Sequence, residues 1–131
     1  MGIVLELEPL RGLRVVADPA ALDAARWGSD GGEVSVLRLA PDDLLALGAR
    51  WAEVDDEHAI VKNEAGYVGA WLSPAALEAV VARLEWPLPT ARPVLAQGLI
   101  AGVAAKLWLT ADGALLMTAA ALASELSERL R

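Results

Sequence analysis

The chain has 131 residues, no cysteine and a net charge of −7. Those figures exclude disulfides, thiolate nucleophiles and cysteine metal sites, and they fit a reducing cytoplasm. They also set the chain against nucleic-acid phosphates, since no Lys/Arg cluster offers a local exception. The length fits one domain, 1–131, large enough to fold without a staple.

In chain order, "GIVLELEPL" alternates through Val4, Leu5, Glu6, Leu7 and Glu8, the period of a half-buried strand that Pro9 ends. It has no basic region ahead of an apolar run, so it does not read as a secretory signal. Glu6 stands where myristoylation after Gly2 expects a hydroxyl residue. Leu13–Ala17 forms a second short strand. Asp18 and Pro19 then suit the cap and first position of a helix that runs to Trp27 and stops at Gly28. "GSDGG" (28–32) is an exposed turn. Glu33–Ala40 alternates as a strand, and "PDDLLALG" (41–48) reads as a short helical turn with acids near its positive end. "RWAEV" and "HAIVK" flank the acidic turn 55–57 as a candidate hairpin. Tyr67–Leu72 is another strand.

Ser73 and Pro74 open the clearest helix, whose apolar stripe is Leu77, Val80, Val81 and Leu84. "WPLPTARP" (86–93) is a stiff extended connector. The apolar stretch that follows resembles a membrane span at first sight. However, Lys106 and Asp112 interrupt it, Gly98 and Gly102 lie in its first half, and Asp112–Gly113 is a hairpin signal. It therefore reads as strands over 94–100, 104–110 and 114–117, then a helix from Thr118 to Arg131 with Leu122, Leu126 and Leu130 on one side. The whole predicts an α+β fold: antiparallel or mixed strands covered by two or three helices.

Chemistry-bearing motifs are sparse. The single histidine, His58, adjoins Asp55, Asp56 and Glu57. These carboxylates lack the alternate spacing and turn glycine of a calcium loop, so no metal is expected and solvated acids suffice. No Gly-x-Ser-x-Gly elbow occurs, and the glycine-rich loop lacks the lysine and hydroxyl of a phosphate loop. No catalytic residue is assigned.

Five tryptophans and one tyrosine, with no phenylalanine, make Trp the main core or interface anchor. Trp86, among prolines, is expected to be exposed and to meet a partner. Trp71 and Tyr67 come next, since Gly66 and Gly69 beside them could let a flat ligand approach backbone, although a bulged or kinked strand with core aromatics is the favoured reading. Lys106 is expected on the polar side of "AAKLWL", opposite Leu107 and Leu109, where it could bind an anion or pair with an acid. Gln97 either binds a ligand or partner or lies on an exposed face.

The succession "LAPDDLLALG", "WLSPAALEAVVARLEWPLP" and "LAQGLIAGVAAKLWLTADGALLMTAAALASELSERL" resembles the gamma subunit of heterotetrameric sarcosine oxidase, a relative of the folate-binding aminomethyltransferases. The resemblance covers about 80 residues. It implies two small ferredoxin-like layers and the role of a non-catalytic accessory subunit. The chain is short for that family, and "LLMTAAALASEL" lacks the family's arginine and serine before the last helix. No polar set matches a folate site, so no cofactor is expected. The leading expectation is a small soluble, cytoplasmic binding or assembly module that meets a protein partner, a second copy or a small ligand, with no nucleic acid and no membrane. The alternatives are a small-pocket enzyme using His58 with a nearby acid, and a self-associating domain.

Overall fold

The computed structural model describes residues 2–131. The chain divides into two compact units. One is continuous in sequence, Leu10–Ala65; the other joins the segment ending at Pro9 to Gly66–Arg131. We call them the contiguous and the split unit.

The contiguous unit contains β1 (Glu8–Val16, which starts just outside it), α1 (Pro19–Asp23), β2 (Arg26–Gly28), β3 (Ser35–Ala40), β4 (Asp43–Leu47) and β5 (Trp51–Glu53). β4 lies between β1 and β3, antiparallel to both, with Leu45 opposite Arg14 on one side and Leu37 on the other. Leu13, Val15, Leu22, Leu44 and Ala46 form its core.

Three expectations change here. "PDDLLALG" is a strand and not a helical turn. Pro41 and Asp42 make the tight turn of a β3–β4 hairpin, and Leu44, Leu45 and Ala46 are all fully buried. A short apolar run buried on both faces has no period to betray it. Gly48 then leaves the strand at φ 86°, where an added Cβ would sit 2.6 Å from the Glu33 carbonyl oxygen. Helix α1 stops at Asp23, so Trp27 belongs to a strand. Finally, "RWAEV" does pair, but with Arg26–Gly28 across the ladder Arg26↔Glu53, and not with "HAIVK".

Strand β6 (Ile60–Leu72) begins in the contiguous unit and ends in the split unit. The split unit continues with α2 (Pro74–Val81), β7 (Val94–Ile100), β8 (Val103–Leu109), β9 (Ala114–Ala119), a single 3-10 turn (Ala120–Leu122) and α3 (Ala123–Leu130). Its strands stand in the order β6-β9-β8-β7, every neighbour antiparallel. The apolar stretch is thus strand, turn, strand, turn, strand and helix, as its interruptions predict. Among the described residues no helix is long and apolar enough to cross a membrane.

Burial along β8 follows period two: Val103, Ala105, Leu107 and Leu109 face the core, while Ala104, Lys106 and Trp108 do not. At the 110–113 turn the Thr110 N–H donates to the Gly113 carbonyl at 2.9 Å. α2 is capped as expected, the Ser73 hydroxyl accepting the Ala76 N–H at 3.1 Å. Val80 is fully buried, whereas Val81 turns outward.

Leu126 and Leu130 of α3 pack beside Val80, Ile100, Leu107 and Leu116. Each such side chain withdrawn from water stabilises the fold by about 1.5–3 kcal/mol. The N-terminal alternation is real in burial but not in pairing. Ile3, Leu5 and Leu7 pack on this core while Val4 and Glu6 are exposed, yet the ladder of β1 begins only at Glu8. Thr118, expected to start the last helix, is instead a buried residue of β9 whose hydroxyl donates to the Ala104 carbonyl at 2.9 Å.

Candidate functional site

The ladders of the split unit sort its side chains onto two faces. Pairs such as Leu72↔Ala114 and Leu107↔Leu116 face the helices. Tyr67↔Ala119, Gly69↔Met117, Trp71↔Leu115, Lys106↔Met117 and Gln97↔Lys106 lie on the opposite face. That face holds a depression of about 410 Å³ whose lining includes Tyr67, Gln97, Leu99, Lys106, Thr118 and Leu122.

Three of the five residues singled out from sequence therefore converge there. Gln97 and Lys106 are direct cross-strand partners, and the Lys106 ammonium donates to Gln97 Oε1 at 2.7 Å. Trp71 shares the face by register but stands outside the depression, with 59% of its surface exposed.

Trp86 is placed differently from expectation. It is half-buried, packed on the core of Leu107 and Leu126, and its Nε1 donates to the Leu99 carbonyl at 2.8 Å. Its ring lies so close to Gly98 that a Cβ there would come within 2.9 Å of it. The connector thus lies against the sheet, with the indole packed at an edge of the core.

His58 lies in the 55–58 turn, its side chain 86% exposed and its Nε2 3.3 Å from Glu57 Oε1. Asp56 accepts the main-chain N–H groups of Asp18 and His58, each at 2.9 Å. Those two bonds, the Asp18 one first, hold its carboxyl below the usual range, against a small opposing effect of burial. Asp56 thus ties a turn to the start of α1. Among the described residues, no group of three or more acidic or histidine side chains could hold a metal ion.

One polar cluster escaped the sequence reading. Arg14, on the face of β1 opposite Leu13 and Val15, donates to both oxygens of Asp43 at 2.6 and 2.7 Å and to Glu64 at 3.2 Å. The hydrogen bond from Arg14 is the main reason the Asp43 carboxyl is held below its ordinary value. The signal available was the charge at the centre of "LRVVA", which only an acid from another strand could balance.

Together these features define a small α+β protein, mostly antiparallel sheet with three short helices, carrying a shallow depression of mixed aromatic, amide and ammonium character. No protein-family model matches the chain, and no curated protein matches it.

Proposed function

We propose that the protein is a small non-catalytic binding or assembly module, similar in role to an accessory subunit of a sarcosine oxidase-like complex. The observation that carries this reading is the convergence of Tyr67, Gln97 and Lys106 on one depression, with Trp71 exposed on the same sheet face. An aromatic ring, a carboxamide and an ammonium suit recognition: the ring supplies area, and the polar groups fix orientation. The cytoplasmic setting in this reading is one that a chain with no cysteine fits. The alternative of an enzyme built on His58 finds less support, because that imidazole stands in solvent at a turn, outside any described depression.

Light scattering behind size-exclusion chromatography, with thermal scans against a panel of small carboxylates and amines, tests the proposal. A ligand at 100 times its Kd raises stability by about 2.7 kcal/mol, readily seen as a shift in Tm. The expected result is a saturable shift, or a mass above the monomer, that weakens in both Tyr67→Ala and Lys106→Gln. A monomer with unmoved Tm across the panel overturns it.

A further inference from the structure

The contiguous unit holds a second, larger concavity, about 480 Å³, lined by the start of β1 (Arg11, Gly12), the loop after β4 (Gly48, Arg50) and the middle of β6 (Asn63, Glu64). We propose that it binds a doubly charged oxyanion group, that of a phosphate monoester.

The argument is one of charge. This unit carries eleven acidic and six basic residues, a net charge of −5. Yet two of its six cations line one cavity. Among the described residues Arg11 makes no ion pair, and its main-chain carbonyl accepts the Gly48 N–H at 2.9 Å. That bond draws the arginine's strand against the loop that carries Arg50. Arg50 reaches only Asp30, at 3.4 Å, with both side chains more than 70% exposed. An ion pair so open to water contributes little and yields readily to a competing anion. The acid in the lining, Glu64, already bonds Arg14 from its own side at 3.2 Å.

Two planar forks and a neutral amide, Asn63, thus surround the space. Guanidinium forks match the oxygen spacing of phosphate and carboxylate, and two of them balance a charge of about −2. Gly12 and Gly48 let the chains beside the cavity pack closely, since a Cβ at either would meet a backbone oxygen, that of Ala46 at 2.2 Å or of Glu33 at 2.6 Å. The cavity lies wholly in the contiguous unit, so this inference is independent of the depression in the split unit.

Calorimetry and thermal scans of the full chain with inorganic phosphate at pH 7.5, against chloride at matched ionic strength, provide the test. The expected result is saturable binding, about tenfold weaker in Arg11→Gln and in Arg50→Gln and absent in the double variant, as loss of a charge-assisted bond predicts. Arg26→Gln, a cation of the same unit outside the cavity, should bind phosphate as the parent does. The proposal is overturned if phosphate does no more than chloride, if the double variant binds equally, or if succinate binds as tightly as phosphate, which would assign the site to carboxylates instead.

Discussion

The two units hold themselves together by different means. The split unit, with seven acids and five bases, has few ionic contacts. The ion pairs Glu125–Arg129 and Glu128–Arg131 join neighbouring turns or ends of α3, and the unit's cohesion lies in leucines fully withdrawn from water. The contiguous unit has a smaller apolar core and is laced across its strands and loops: Arg14 to Asp43 and Glu64, Arg26 to Glu53, Arg38 to Asp23. The lesson is that similar strand–helix–strand beginnings can be closed by packing or by charge. The first kind should answer to lost volume, the second to pH and salt.

The sharpest break of this contrast is a cavity in the split unit. Leu107→Ala removes a side chain with no exposed surface and should cost about 2–5 kcal/mol in urea-induced unfolding, independent of salt. Next comes Arg14→Met, which removes the guanidinium bonded to two partly buried carboxylates and should cost about 1–3 kcal/mol at neutral pH. This variant also sharpens the contrast through acid. Asp43 has a depressed pKa in the folded chain, so its contribution is present above the ordinary carboxylate pKa and is lost as pH falls through the folded value. Unfolding measured from pH 7 down to pH 2 should therefore show a shallower loss of stability in Arg14→Met than in the parent. An equally steep loss would mean Asp43 is not the titrating group.

Smaller effects follow. Ser73→Ala deletes the acceptor for the Ala76 N–H and should cost about 1 kcal/mol, again with no salt dependence. Arg26→Ala should cost no more than about 0.5 kcal/mol, since its contact with Glu53 is open to water, and the difference should vanish in 1 M salt. A salt-insensitive loss there would show packing by the arginine stem instead.

Much of the split unit was legible because its residues obey a period. Val103–Leu109 alternates without exception, and the Ser73–Pro74 cap and the Asp112–Gly113 turn are local chemistry. The contiguous unit was less legible because its elements are short and settled by partners. Leu44–Leu45–Ala46 is buried from both sides, which a linear pattern cannot distinguish from a helical turn, and Trp27 is drawn into a ladder by Trp51–Glu53, over twenty residues away. The same holds for the sites. Gln97 and Lys106 were suspected singly as polar interruptions of apolar strands, but their pairing needed the register of β7 on β8. Trp86 was expected to be exposed and is half-buried, because prolines suggest a connector but not the surface on which it lies. Arg14 was overlooked because its acids come from β4 and β6.

The division of the sequence between the units also sets an order in time. Residues 10–65 leave the ribosome as one uninterrupted piece, and every residue of the Leu13–Leu44 core is then present. The other core draws on Ile3, Leu5 and Leu7 before that piece and on Leu126 and Leu130 after it. Ile3, Leu5 and Leu7 must therefore wait for Leu126 and Leu130, which are made after the whole of 10–65. Of the two units, it is the leucine-rich one that is completed last and spends longest within reach of chaperones.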